Sequence, residues 1–336
     1  MRKVWGRAKD RRTYALLSLC LPLIVIAMSL LTLRPDAAGV RPEISKPTCK
    51  FVKRRNGEGG FHDYFLEVYH KCKPVLSKSW SSKVLTVAAL FHNDKAHLEA
   101  QVTTWLKLEE KIKAQVLFVI VDDGSMIHAA KDVVELLPKC SIDFMIVRII
   151  DDILWNIGGA RNLAMFIAPT EYVFLTDIDI HLPVDIFGHL LLIPSMAKRR
   201  KAQTGSEHIY TRFRRVVIPT GEEKPHPAIM LLSKTAYWKV GGCDEDFVGQ
   251  YGYTDPHFWH RATLTPNITT VSCADEHVEI PPLIEHKELS LHSRERNDKT
   301  RNKILFDKKT AKNKWSDVYI RYDWTTVLQA NMVCIR

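Results

Sequence analysis

Residues Thr170–Pro183 read TEYVFLTDIDIHLP. The apolar and aromatic run from Tyr172 to Leu175 predicts a buried strand that leads straight into two carboxylates, Asp177 and Asp179. Side chains two apart on a strand share a face, so both project from the strand's exit. Open α/β sheets bind their ligands there. Paired hard oxygen donors at such a place suit Mg²⁺ or Mn²⁺ holding a diphosphate. Asp-x-Asp is common in surface turns; its position after an apolar strand is what gives it weight.

The flanking sequence alternates strand and helix. VLTVAALF (Val84–Phe91), VLFVIV (Val116–Val121) and DFMIVRII (Asp143–Ile150) are further apolar strands. Between them, Leu98, Val102, Trp105, Leu106 and Ile112 recur at helical spacing and predict one helix over 98–112. MIHAAKDVVELL predicts a second helix over 126–137, and Gly158–Ala168 a third. Continuous apolar strands alternating with helices predict an α/β fold, a mainly parallel sheet covered on both faces.

The net charge of +10 suggests nucleic acid until it is located. Six Lys/Arg against Asp10 alone give +5 within residues 1–33, so half the excess lies in a short tail. Next comes Tyr14–Leu33, twenty residues without a charge. At 1.5 Å per residue they span about 30 Å, the thickness of a bilayer's hydrocarbon core. The expected organisation is a cytoplasmic tail (1–13), a signal anchor (14–33), a Pro-, Gly-, Lys- and Ser-rich stem (34–82) with one short helix near Tyr64–Lys71, and a domain over 83–336. The basic flank places that domain across the membrane. A cleaved signal peptide ending near Ala37-Ala38-Gly39 is the rival reading; its apolar region would be shorter. Cys49, Cys72, Cys140, Cys243, Cys273 and Cys334 would then meet an oxidising lumen and form up to three disulfides. Asn267-Ile268-Thr269 is a glycosylation sequon.

Other segments offer chemistry, each beside a plainer reading. Asp123, in Asp122-Asp123-Gly124-Ser125, would touch a base or ribose; the alternative is a capped turn. In Trp155–Asn162 (WNIGGARN), two glycines at a helix start would admit phosphate, and Arg161 would pair with it. The alternative there is a tight helix start with Arg161 in a structural ion pair. Gly241–Phe247 (GGCDEDF) and Tyr251–His257 (YGYTDPH) carry Asp244, Glu245 and Asp255, any of which would serve as general base. Cap roles are the alternative for Asp244. Lys198–Lys201 and Arg212–Arg215 lack the interleaved aromatics of a nucleic-acid surface. His292, in Leu291–Arg294, would add a metal ligand or be an ordinary surface histidine.

The ordered series VDDGS, WNIGGARN, TDID, GGCDEDF, YGYTDPHFWHR and LHSR, over about Val84–Arg296, resembles the GT-A glycosyltransferases. It is similar to glycosyltransferase family 2, and its second half to the beta-1,4-galactosyltransferase family. The resemblance implies a GT-A fold and an inverting transferase that uses a nucleotide-diphosphate sugar with Mn²⁺ (or Mg²⁺). It implies a type II Golgi membrane protein acting on a glycan or glycoconjugate acceptor. On the matching positions, Asp123 and Arg161 would contact the donor, Asp179 would ligate metal with Asp177 beside it, and His292 would be a further ligand. Asp255 would be the catalytic base, with Asp244 or Glu245 as alternatives, because only one acid stands where that family has a run. Leu289 replaces its methionine ligand. Rival readings are a non-catalytic lumenal sugar-binding or chaperone-like protein on this scaffold, and a nucleotidyl or phosphosugar transferase.

Overall fold

The computed structural model describes residues 51–52, 78–135, 137, 142–274, 280–286, 298–316 and 318–331. The expected anchor, the helix near Tyr64–Lys71 and His292 lie outside these. No described helix is long and apolar enough to cross a membrane.

In chain order the strands are β1 (Phe51–Val52), β2 (Leu85–Phe91), β3 (Val116–Asp123), β4 (Asp143–Ile149), β5 (Tyr172–Asp177), β6 (Ile180–His181), β7 (Glu207–Thr211), β8 (Arg214–Ile218), β9 (Glu222–Pro225), β10 (Met230–Ser233), β11 (Ile268–Ser272), β12 (Leu283–His286), β13 (Val318–Tyr319) and β14 (Trp324–Asn331). The α-helices are α1 (Lys95–Leu106), α2 (Glu110–Lys113), α3 (Ala130–Glu135), α4 (Ile157–Ile167), α5 (Ile186–Thr204), α6 (Lys234–Val240), α7 (Thr254–Leu264) and α8 (Thr300–Lys312).

The fold is α/β around an eight-stranded sheet of order β11-β7-β10-β5-β2-β3-β4-β14. β5, β2, β3 and β4 are mutually parallel. β10 inserts antiparallel between β5 and β7, and β14 closes the other edge antiparallel to β4. The sheet is therefore mixed: the parallel core matches the expectation, and its flanks do not. β6, β12, β8 and β9 form a smaller sheet.

Alternation along the central strands builds two cores. Leu85, Val87, Ala89 and Phe91 of β2 pack on one face with Val116, Phe118 and Ile120 of β3, under Trp105 of α1. Ala88 and Leu90 pack on the other face with Leu117, Val119 and Val121, under α4. A strand buried on both faces has to read as a continuous apolar run, which is why these were visible in the sequence.

Two expectations are corrected. The helix over 98–112 is two, α1 and α2, because the chain leaves the helix to send Leu108 into the core. The helix over 126–137 shrinks to α3. Asn93 Oδ1 takes the N–H groups of Ile127 (2.8 Å) and His128 (3.2 Å), and Asp122 takes that of Ser125 (2.9 Å). These side-chain bonds compete with a helical turn, leaving Met126 and Ile127 exposed. Trp80 is buried in the second core, and β1 pairs antiparallel with β13.

Candidate active site

The parallel strands end on a cavity of about 1150 Å³. Register aligns Phe91 with Asp122 and Leu90 with Asp177, so β2, β3 and β5 deliver their last residues to one rim. Small-ligand pockets are about 300–1,000 Å³, so this one is just past the large end of that range. Asp123, Arg161, Asp177, Asp179 and Asp255 all line it.

At the β3 exit the two acids divide their work. Asp122 is buried and spends its carboxylate on the chain, accepting from Ser125 N and Ala130 N, each at 2.9 Å. Asp123 faces the cavity and accepts from Asn156 Nδ2 at 2.8 Å. Burial foremost, then repulsion by Asp122 and Asp152, pushes its pKa up to about 7, against the Asn156 bond. Gly124 has φ +73°, and a Cβ there would lie 2.3 Å from the Asp151 carbonyl oxygen, so only glycine lets these chains cross.

The glycines of WNIGGARN serve packing rather than ligand access. A Cβ on Gly158 would meet Thr254 and Cys243, and one on Gly159 would lie 2.2 Å from Asn156 Oδ1. Arg161, on the first turns of α4, is 2% exposed and is clamped between acids. Its Nη1 donates to Asp255 Oδ1, and its Nη2 lies 3.3 Å from Asp177 Oδ1. The structural ion pair is thus the arrangement found, and the cation expected to face a phosphate is already engaged.

Asp177 ends β5, and Asp179 follows in the turn to β6. Burial raises the Asp179 pKa to about 7; Asp177, Glu285 and Asp94 add to the rise, and His97 opposes it. His97 is held by Asp94, with Nδ1 to Oδ2 at 2.7 Å, and its Nε2 meets the His286 carbonyl at 3.3 Å. A buried carboxylate with other acids around it is the environment a hard divalent cation relieves. Asp179 and Asp177 are the donors on offer. Among the described residues no group of three His, Cys, Asp or Glu side chains is arranged to hold a metal ion.

Asp255 sits in the first turn of α7, where Tyr253 at φ +65° swings the chain into the helix. Burial raises its pKa, Asp177 adds to the rise, and the Arg161 guanidinium counteracts it. Its side chain remains 27% exposed to the cavity. The two alternative bases are placed differently. Asp244 Oδ1 accepts from Asp246 N at 3.0 Å, and its Oδ2 takes Ser316 N at 3.0 Å and Lys309 Nζ at 2.8 Å. Glu245 Oε1 accepts from Asn162 Nδ2 and Ile320 N, both at 2.7 Å, and its Oε2 from Arg321 N at 3.1 Å. Both are enclosed, partnered and outside the cavity lining. They fasten the GGCDEDF turn to the C-terminal segment.

Sequence reading missed Glu285 and His226 in the lining, and the Asp94–His97 pair beside it. None has a local signature. Arg215 spends its charge 3.0 Å from Glu285, Arg214 lies 2.9 Å from Glu223, and Lys201 pairs with Glu207, so these three cations are committed within the protein. Cys243 is a buried free thiol, so six cysteines do not close into three disulfides. Asn267 of the sequon is exposed in a turn before β11.

No protein-family model and no curated protein matches the chain. Among solved structures it is similar to S. aureus TarS 1-349 in complex with UDP-GlcNAc: 12% identity and a TM-score of 0.48, over 62% of this chain and 61% of that one. It is also similar to the mannosyltransferase PcManGT from Pyrobaculum calidifontis in complex with GDP-Man and Mn²⁺, with 16% identity and a TM-score of 0.40, over 70% and 67%. The chain spans about 60% of the length of the TarS fragment it matches. These are distant likenesses, and the functional reading rests on the cavity.

Proposed function

We propose that the chain is an inverting, metal-dependent glycosyltransferase of the GT-A type, moving a sugar from a nucleotide-diphosphate sugar to a hydroxyl of a glycan or glycoconjugate. The observation that carries this is the Arg161 bridge. It joins Asp177 of the strand-exit pair to Asp255, in the same cavity that Asp179 lines.

The roles follow from environment. Asp123, with Asn156 fixing it, offers an acceptor oxygen to the nucleoside. Asp179 and Asp177 are the residues that would hold Mn²⁺ or Mg²⁺, a Lewis acid that neutralises charge on a departing diphosphate. Arg161 leaves Asp255 with one carboxylate oxygen engaged at Oδ1 and the other available. A carboxylate whose pKa is raised by burial is a stronger base than a free one. Asp255 takes the proton of the acceptor hydroxyl as its oxygen bonds to the anomeric carbon from one side. The bond to the diphosphate oxygen breaks on the other side, and one displacement inverts the configuration.

The apolar segment 14–33 and the exposed sequon support a type II membrane protein with a lumenal domain; Golgi residence rests on the family resemblance alone. The rival is a lumenal sugar-binding protein on the same scaffold, favoured by one observation: Asp255 is already ion-paired. The full chain, incubated with a panel of UDP- and GDP-sugars in Mn²⁺ or chelator, separates the two. Metal-dependent release of nucleoside diphosphate, lost in Asp255→Asn, supports the transferase. Donor binding without release from any sugar nucleotide, in the presence of acceptor glycosides, refutes it.

A further inference from the structure

The turn from β9 to β10 reads Pro225-His226-Pro227-Ala228-Ile229, and its histidine lines the cavity while being only 6% exposed. Several contacts fix it. Its backbone N–H donates to the Phe213 carbonyl at 2.8 Å. Trp259 Nε1 donates to the Pro227 carbonyl at 2.9 Å, and two prolines restrict the backbone around it. The ring is fixed as well. Nδ1 accepts the N–H groups of both Ala228 and Ile229, each at 3.2 Å. A nitrogen that accepts two N–H bonds carries no hydrogen, so in the neutral ring the hydrogen is on Nε2.

Among the described residues no acceptor meets that Nε2–H. The neighbouring cations are committed: Arg161 to Asp177 and Asp255, Arg215 to Glu285. Burial foremost, then the Arg215 and Arg161 charges, drives the His226 pKa down to about 4 against the pull of Asp177. An imidazole locked neutral is a poor partner for a phosphate, which favours charged donors, and a suitable one for an uncharged oxygen.

We propose that His226 is a specificity-determining residue whose Nε2–H donates a hydrogen bond to an uncharged oxygen of a pyranose, a hydroxyl or an acetamido carbonyl, bound in this cavity. The inference rests on the glycosyltransferase reading for the identity of the ligand. The pyranose is either the transferred sugar or the acceptor sugar. Both offer the same chemistry, and the two are distinguished by which affinity changes.

Two substitutions divide the ring's functions. Asn places its Oδ1 near the position of Nδ1, so His226→Asn keeps an acceptor for Ala228 and Ile229 and removes the ligand donor. Gln places its amide nitrogen near Nε2, so His226→Gln keeps the donor and removes the acceptor for the turn. With the full chain, the probes are UDP, GDP, UDP-glucose, UDP-galactose, UDP-N-acetylglucosamine and GDP-mannose, and methyl glycosides of the same sugars as acceptors. Loss of one neutral hydrogen bond is expected to weaken sugar recognition about 3- to 10-fold. His226→Asn should show that loss with an unchanged melting temperature. His226→Gln should melt lower and bind nearer to wild type.

If the Asn variant loses affinity for the sugar nucleotide and not for the bare diphosphate, the donor sugar is the partner. If only the KM for the methyl glycoside rises, the acceptor is. Equal weakening of bare nucleotide and sugar nucleotide, or no change in any, overturns the assignment. So does a ¹H–¹⁵N spectrum of ¹⁵N-histidine-labelled apoprotein at pH 7 in which the resonances absent from His226→Asn report a cationic ring or a hydrogen on Nδ1. Binding of none of the sugar nucleotides by the wild-type chain overturns the glycosyltransferase reading and this inference together. The spectrum still reports the tautomer, so the two failures are distinguishable.

Discussion

Replacing Arg161 with Met tests the central bridge. The guanidinium is 2% exposed, and its two partners, Asp177 and Asp255, have side chains 23% and 27% exposed. Methionine fills much of the volume and leaves two carboxylates facing each other without a cation. Breaking a buried ion pair by removing one partner costs about 3–5 kcal/mol. Because both acids are partly solvated, the lower end, about 3 kcal/mol, is expected at pH 8. The pH dependence fixes the sign. Without Arg161, whose charge now counteracts the rise, the folded-state pKa of the Asp255 carboxyl moves further above its unfolded value. A group raised in the folded state contributes stability present below its unfolded pKa and lost as pH climbs through the folded one. The penalty should therefore shrink from pH 8 to pH 5, by about 1.4 kcal/mol for each unit a carboxyl has risen. Urea unfolding followed by tryptophan fluorescence, in chelator at both pH values, reads this directly. Destabilisation below about 1 kcal/mol and equal at both pH values would refute the clamp. Arg161 would then be free to meet a phosphate, as the sequence alone suggested.

Asp179→Asn should abolish metal-dependent turnover and yet raise the melting temperature at pH 8 in chelator. Its carboxyl is raised from 3.8 to about 7, so its ionised form opposes folding most fully above pH 7, and the gain should shrink as pH falls and vanish only below the unfolded value of 3.8. Asp123, also raised to about 7, should give nucleoside-diphosphate affinity that falls below pH 7 as it protonates; calorimetry should find that dependence missing in Asp123→Asn. Glu245→Gln and Asp255→Asn should behave oppositely. The first should unfold more easily, by about 1–3 kcal/mol, as buried bonds to Ile320 and Arg321 weaken, with kcat little changed; the second should lose kcat and cost less stability than Arg161→Met, because Arg161 keeps Asp177. Gly159→Ala should cost about 1–3 kcal/mol by overpacking against Asn156, and should raise the donor KM by displacing the Asn156–Asp123 bond.

What the sequence revealed, and what it hid, follows from distance along the chain. The central strands were legible because burial on both faces leaves an unbroken apolar run, and the exit of Asp177 and Asp179 follows from a period of two. Asp123 was legible for the same reason, as the last residue of β3. Arg161 was ambiguous because its partners lie 16 and 94 residues away. Asp244 and Glu245 read as candidate bases because their partners, Ser316, Ile320 and Arg321, lie more than 70 residues further on. The same distance explains His226, which stands in an unremarkable turn.

Ala160-Arg161-Asn162 shows why such contacts are informative about function. Arg161 points into the cavity and binds the acid pair there. Its neighbour Asn162 points the other way, donating to the Cys243 carbonyl and Glu245 and accepting from Tyr237 and Cys243 N. One turn of α4 therefore sets β5's Asp177 against α7's Asp255 and, through Asn162, anchors the segment that leads into α7. A helix that fixes a candidate base relative to a candidate metal pair through two adjacent residues holds reacting groups in register, where misplacement of about 1 Å can cost 10²-fold in rate. Asn162→Ala, which touches nothing in the cavity lining, should therefore lower kcat along with stability, whereas loosening of a purely structural contact would lower stability alone.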